Sequence, residues 1–392
     1  MNDKMNSQNN QNPSIPSLFW SFFRLGLTAF GGPAMVAYIK KMAVDRHKWM
    51  DEATFKDGVV LCQSIPGSTA MQTAAYVGLR ARKISGAFVS FLGFGLPAFI
   101  LMLILSAFYA SFHNMPKAVS LFNGLQVIVV AIVAQAAFSF GKSMLKSYQD
   151  IFIPIISAIL LWIGISPFIV ILGAAFVGII FFKNSNAPKV FNQAQKDTGL
   201  FKKITLIALI LSLALAGLYF FDRNLFKLAV LMFRIDIFAF GGGFAALPLM
   251  HHEIVGVRGW MTSKTFMDGI ALGQITPGPM TLSTTFVGYL LRGLPGAVVA
   301  TLAIFTPSFL MVILITPFFD KLKGSAYFLG ATRAIYASFV GLLCFITVKF
   351  AYAVPWNTTQ VLLCLIALVA LLKKVDILYV VLMGAIISIF IL

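Results

Sequence analysis

Acidic side chains are scarce in this chain: 392 residues hold 13 Asp and Glu against 30 Lys and Arg, and charged residues make up only 11%. That shortage, beside 59% hydrophobic residues and a mean hydropathy of +0.90, excludes a soluble domain of this length, which could not hide so much apolar surface. Strand-like alternation is missing, which excludes a β-barrel. Only three cysteines occur, Cys62, Cys344 and Cys364, each inside an apolar stretch and without paired or metal-ligand spacing. They exclude a disulfide framework and read as small core residues. His251-His252-Glu253 lacks the HExxH spacing of a metal site, and no Ser/His/Asp or Cys/His arrangement is present. The expectation is a non-enzyme without metal or cofactor. The formal charge of +17 is dispersed over short loops between apolar runs, so it indicates the positive-inside bias of a protein in a lipid bilayer and not a nucleic-acid partner.

Apolar runs of about 20 residues, the length that crosses roughly 30 Å of hydrocarbon, recur along the whole chain. The fold class is therefore an all-α integral membrane protein. Residues 1–17 are polar and Asn/Gln-rich with no basic n-region, a disordered tail and not a signal peptide. Spans are predicted over 18–39, 55–79, 86–111, 117–141, 150–164 and 167–182, a first transmembrane repeat of 18–182. A lysine-rich cytoplasmic linker, 183–203, and an extra helix, 204–221, follow. The second repeat, 222–392, has spans at 226–249, 265–291, 296–319, 326–350, 356–372 and 376–392. That makes about 13 crossings if each Pro-Gly segment counts as one broken crossing.

The two repeats match residue by residue. Phe23-Arg24 and Ala29-Phe30-Gly31-Gly32 reappear as Phe233-Arg234 and Ala239-Phe240-Gly241-Gly242. Trp49-Met50, Asp57-Gly58, Gln63 and Pro66-Gly67 reappear as Trp260-Met261, Asp268-Gly269, Gln274 and Pro277-Gly278, and Pro97 as Pro307. The helix at 204–221 has no counterpart, so an odd number of crossings separates the copies and they are expected to be inverted. Basic loops at Arg80 to Lys83 and Lys142 to Lys146 suit a cytoplasmic N-terminus, with the C-terminus outside. The stretch Lys40, Lys41, Arg46 and Lys48 would then lie outside, unless it is interfacial or 55–79 is a re-entrant hairpin; both stay open.

Inverted repeats with apolar segments broken at matching positions point to a secondary transporter's site. Proline removes a donor and glycine permits unwound backbone, so Pro66-Gly67 and Pro277-Gly278 split their segments. A half-helix beginning there would aim a positive dipole end inward, an anion site. Ser68, Thr69, Gln63, Gln274, Thr276 and Thr281 add neutral donors. Arg24 and Arg234 stand inside spans, facing either a site or, by snorkelling, the headgroups; a planar guanidinium suits an oxyanion. Asp236 is a candidate for a coupling proton, with pairing to Arg234 the plainer alternative. Gly31, Gly32, Gly241 and Gly242 lack the Lys-Ser/Thr of a phosphate loop and read as helix breaks or close packing.

Duplicated Ala-Phe-Gly-Gly, a Trp-containing loop and Gln-x-x-Pro-Gly over two halves, from Leu18 to Leu392, resemble the long-chain chromate ion transporter family. Gln274 to Pro279 keeps the family's full Pro-Gly-Pro, whereas Ser68 stands where the first half usually has a second proline. The resemblance implies two antiparallel halves in a bacterial inner membrane and export of a small inorganic oxyanion, chromate first and sulfate as its look-alike. An anion channel is the rival expectation. A homo-oligomer is an open alternative.

Overall fold

The computed structural model describes residues 13–30, 33–181 and 198–391. Among these, every regular element is helical. Several helices begin where a polar side chain precedes an apolar run and takes up a free N–H of the first turn. Ser14 caps α1 (Ile15–Thr28), Asp51 caps α3 (Glu52–Ser64), Asp222 caps α9 (Arg223–Phe238) and Thr262 caps α11 (Ser263–Ile275). Ser325 and Asn357 do the same for α14 (Ala326–Ala353) and α15 (Thr358–Leu372). The Thr54 N–H that bonds Asp51 also holds that carboxyl below the usual carboxylate range.

The remaining helices are α2 (Pro33–Lys40), α4 (Thr69–Phe112), α5 (Pro116–Met144), α6 (Tyr148–Trp162), α7 (Pro167–Phe181), α8 (Thr198–Phe221), α10 (Gly243–His251), α12 (Ser283–Ile315), α13 (Phe319–Lys323) and α16 (Ile377–Ile391). Elements recur at the displacement of the sequence repeat: α3 starts at 52 and α11 at 263, α6 at 148 and α15 at 358, α7 at 167 and α16 at 377. A π-helical turn follows α2 (Lys41–Arg46) and another follows α10 (His252–Val257). Four stretches are long and apolar enough to cross a bilayer: Thr69–Phe112, Pro116–Met144, Met280–Phe318 and Ala326–Ala353.

Two of those four are folded back. α4 loses helical backbone at Arg82 and Lys83, and α12 at Arg292 and Gly293. The Thr285 and Thr301 hydroxyls are 2.7 Å apart. A straight helix would separate them by about 24 Å at 1.5 Å per residue. Gly78 lies against the Gly86 carbonyl, where any Cβ would collide with it. Each is therefore a pair of antiparallel limbs: 69–81 and 84–112 in α4, 283–291 and 294–315 in α12. The long limbs pack on each other through Phe88 and Phe309, with ring centroids 6.2 Å apart, and Phe91 and Phe305, 6.0 Å apart. The earlier Phe88 meets the later Phe309, and the later Phe91 meets the earlier Phe305, so these homologous limbs run antiparallel.

The Pro-Gly segments fold back too. Tyr76 donates to the Thr54 carbonyl at 3.3 Å, and Gly58 packs on the Tyr76 ring, so α3 and limb 69–81 form a helical hairpin with Pro66-Gly67 at its tip. Gly269 against the Phe286 ring makes the same hairpin of α11 and limb 283–291. Between the alternatives the sequence left open, packing favours hairpins; the count of about 13 crossings had treated each as passing straight through. The predicted spans 18–39 and 226–249 also differ from the structure. Each is two helices, α1 with α2 and α9 with α10, and Gly241 and Gly242 take positive φ between the second pair.

Outside the hairpins, an ion pair joins the halves. Asp150, fully buried, caps α6 and bonds Arg333 of α14 at 2.8 Å, while Arg333 stays 40% exposed. Arg333→Met strands a buried carboxylate, and screening at the exposed end keeps the expected cost near 2 kcal/mol. The unfolding midpoint in detergent should fall by several degrees; an unchanged midpoint would show the pair to be structurally idle.

Candidate functional site

Four interruptions of the chain meet at one place. Proline has no N–H and glycine tolerates unusual backbone, so each hairpin tip presents its glycine N–H outward. The Gly67 N–H donates to the Ala239 carbonyl at 2.9 Å, and the Gly278 N–H to the Ala29 carbonyl at 3.1 Å. Ala29 and Ala239 are the C-terminal caps of α1 and α9. Each half's Pro-Gly tip is thus bonded to the other half's Ala-Phe-Gly-Gly break, and the exchange is reciprocal. Gly278 touches Ala98 and Gly67 touches Ser308, residues near the middle of limbs 84–112 and 294–315. The tips therefore sit at half the height of the longest helices.

Helix N-termini converge there. Gly241 and Gly242 take φ of 102° and 89°, and a Cβ on Gly242 would lie 3.7 Å from the Thr69 hydroxyl. A Cβ on Gly243 would lie 3.6 Å from the Met280 and Thr281 N atoms. The starts of α4, α10 and the 3-10 turn Met280–Leu282 that leads into α12 are therefore neighbours. None of the three has a side-chain cap. First-turn N–H groups left in this way concentrate partial positive charge.

Polar side chains around these ends lack partners among the described residues. Thr281 Oγ1, Ser283 Oγ and Gln274 Nε2 are buried atoms with no hydrogen bond, and Thr281 and Ser283 are each 1% exposed. An unpaired buried polar group costs about 1–3 kcal/mol, so three together mark a place that a ligand would satisfy. Gln72 spends its amide N–H on the Pro66 carbonyl at 2.5 Å and leaves Oε1 unpaired. Backbone N–H groups with hydroxyl and amide donors suit an anion stripped of water.

A carboxylate borders this cradle. Asp236 is 1% exposed, and its Oδ2 accepts from the Ser308 N–H at 2.7 Å and hydroxyl at 2.6 Å. The Ser308 hydroxyl in turn accepts from the Ser68 N–H at 3.3 Å, which links Asp236 to the first tip. Asp236 Oδ1 has no partner among the described residues. In the first half the equivalents are Gly26 and Ala98, so this polar link exists once per chain.

The expected residues are not all gathered here. The plainer expectation for Asp236, an ion pair with Arg234, is wrong: two helical positions apart, they point to different sides. Arg234 binds Glu253, which also holds Arg258, and lies 4.1 Å above the Phe168 ring. Arg24 is exposed and forms no ion pair among the described residues. Gln63 is exposed, and its carbonyl accepts from the Tyr336 hydroxyl. Thr276 turns inward onto its own helix, donating to the Gly273 carbonyl at 3.1 Å, so its hydroxyl is not the spare donor expected. The Gly67 and Ser68 N–H groups, expected to be free, are likewise taken. Gly31 and Gly32 lie outside the described residues. Cys62 is buried as expected, but Cys344, on α14, is exposed and Cys364, on α15, is half-buried. His251 bonds the Ser263 hydroxyl at 2.9 Å. Sequence reasoning missed Ser283 and Ser308; Pro307, matched to Pro97 across the repeat, was the available signal for the latter, since proline frees the backbone next to it.

Comparison with known proteins agrees with this duplicated arrangement. A family model described as chromate transporter matches the chain twice, at 16–179 and 226–389. The chain is 41% identical over 388 residues to an uncharacterized transporter of Methanocaldococcus jannaschii, covering 98% of this chain and 96% of that protein. It is 30% identical over 363 residues to a chromate transport protein of Cupriavidus metallidurans, covering 92% and 88%. An uncharacterized transporter of Bacillus subtilis is 27% identical over 183 residues, which is 91% of that protein but 45% of this chain, about one repeat. No solved structure matches.

Proposed function

The chain belongs to the chromate transporter family, and from that premise we propose that it is a secondary transporter that exports an oxyanion, chromate before sulfate, across the inner membrane by alternating access. The observation that carries the reading is the meeting of three uncapped helix N-termini with the unpartnered Thr281 and Ser283 hydroxyls at the hairpin tips. A dianion there gains dipoles and hydrogen bonds in place of water. Arg24, on the face of α1 five residues before its break, guides the anion in; Arg234, neutralised by Glu253, steadies its own helix. Asp236 carries a coupling proton beside the cradle.

Inverted orientation of the halves is supported by the antiparallel long limbs and the reciprocal Gly67 and Gly278 bonds. The hairpin reading keeps the parity, because limb 84–112, α5, α6, α7 and α8 are an odd number of crossings. It also gathers the basic loops. If α1 with α2, and α3 with limb 69–81, each return to the side they left, then Lys40 to Lys48, Arg80 to Lys83, Lys142 to Lys146, Lys321 to Lys323 and Lys373-Lys374 all face the cytoplasm. The awkward Lys40 to Lys48 stretch then needs no separate explanation. Lys40 bonding Glu52 at 2.8 Å ties the end of α2 to the start of α3, as that return requires.

Inverted vesicles loaded with the protein should accumulate labelled chromate and sulfate with saturable kinetics and show counterflow against trans anion. Linear, non-saturating flux without counterflow would identify a channel instead. Absence of any anion flux would end the reading.

A further inference from the structure

The two hairpins are equivalent in sequence but not in setting. Along α3, Ala53, Lys56, Asp57, Val60 and Gln63 form an exposed stripe from the outer end to the tip. Of their equivalents on α11, only Lys264 at the outer end is exposed; Met267, Asp268 and Ala271 are buried and Gln274 is half-buried. Asp57 and Asp268 occupy the same step of their helices, yet the first is 63% exposed and the second 5%. Lipid cannot cover Lys56, Asp57 and Gln63 cheaply, so the stripe faces water.

The difference lies in how each hairpin meets the other half. Asp268 is clasped by first-half side chains: Tyr109 donates to Oδ2 at 2.8 Å and Gln126 to Oδ1 at 2.8 Å. Around this clasp α11 packs against α5, α14 and α16, while α3 packs chiefly on its own hairpin partner, α4. Among the described residues Asp57 bonds only Lys323, at 3.3 Å. Lys323 is the equivalent of His113, whose ring stacks on Tyr109 at 5.1 Å. Tyr336, the equivalent of Gln126, bonds the Gln63 carbonyl and not Asp57. The equivalent of Tyr109 is Phe319, which has no donor, so the donors facing Asp57 are Lys323 and Tyr336, and only the second pair of elements is docked.

We propose that the two hairpins are the gates of the transport path, and that the chain stands with the α3 gate open to the basic, cytoplasmic side and the α11 gate closed by the Asp268 clasp. In the opposite state Asp57 docks on Tyr336 and Lys323, and Asp268 leaves Tyr109 and Gln126. This rests on the transporter reading above and adds to it which residues shut each side.

Val60 and its equivalent Ala271 report the gates without touching the cradle. In a chain with Cys62, Cys344 and Cys364 replaced, Val60→Cys should react with a membrane-impermeant maleimide from the cytoplasmic face only, and Ala271→Cys from neither. Adding Asp268→Asn, or Tyr109→Phe as a milder second variant, should raise labelling of Ala271→Cys from the outer face at least tenfold and lower that of Val60→Cys. Three results would overturn the gates: Val60→Cys unreactive from both faces, as under a second copy of the chain; both cysteines reactive from one face; or no change on loosening the clasp. Anion flux in the same vesicles separates the failures. Flux with fixed accessibility removes the gates alone, while switching accessibility without flux removes the cargo and leaves the gates.

Discussion

Gly67→Ala should lower anion flux at least about a hundredfold while the protein still inserts and purifies. Gly67 holds φ at 110°, a conformation costing an L side chain about 1–3 kcal/mol. An added Cβ would also run into the Ser308 hydroxyl and come within 2.9 Å of the Gln72 amide nitrogen. Ser308 is the residue that both bonds Asp236 and accepts from the Ser68 N–H, so moving it disturbs the tip, the carboxylate and the start of α4 together. A hundredfold corresponds to about 2.7 kcal/mol, which the backbone strain and one broken hydrogen bond supply. Gly278→Ala should act alike, since φ there is 107° and the new Cβ would lie 2.5 Å from that of Ala98. Gly173→Ala, with nothing within 4 Å, is the control expected to be silent. Flux into proteoliposomes, read beside the unfolding midpoint, decides the matter: Gly67→Ala working within threefold of wild type would mean that the tip is not at the transport path.

Why Gly67 could be singled out from sequence, and Ser308 could not, is a matter of which constraints are local. Pro-Gly in an apolar run breaks a helix whatever surrounds it, and its repetition after some two hundred residues marked it as more than a kink. The whole-helix periods of α5 and α14 were equally legible, because lipid and core both demand apolar residues. Where a broken chain goes next is not local. A hairpin and a straight broken crossing use the same Pro-Gly, and Arg82-Lys83 turns α4 back at residues with no turn signature of their own. The partner of Asp236 lies 72 residues away across the fold, so proximity in sequence favoured Arg234 and misled. The asymmetry between Asp57 and Asp268 was invisible for the same reason: identical motifs carry no record of which one is docked.

Asp236→Asn should uncouple anion binding from pH, and Asp236→Ala should reduce flux by a factor of tens. The carboxylate faces Ser308 on α12 and, through it, the Ser68 N–H of the first tip; among the described residues no cation pairs with it, since Arg234 on its own helix is turned to Glu253. A dianion held about 6 Å from a charged carboxylate would be opposed by about 5 kcal/mol at an effective dielectric near 20. Taking up a proton removes that opposition. Wild-type affinity for sulfate, which stays a dianion throughout, should therefore rise at least tenfold as the medium is acidified across the neutral range, and anion binding should be accompanied by proton uptake. Asparagine presents the same shape without charge, keeps an oxygen for the Ser308 donors, and should hold affinity at the high, acid-side value across that range. Alanine leaves the Ser308 N–H and hydroxyl unpaired, frees the first tip and costs flux at every pH. Sulfate binding to purified protein over a pH series, with proton uptake followed by a dye in the same solution, reads both effects. If Asp236→Asn keeps the wild-type slope, the titrating group lies elsewhere and Asp236 serves only to hold Ser308 in place.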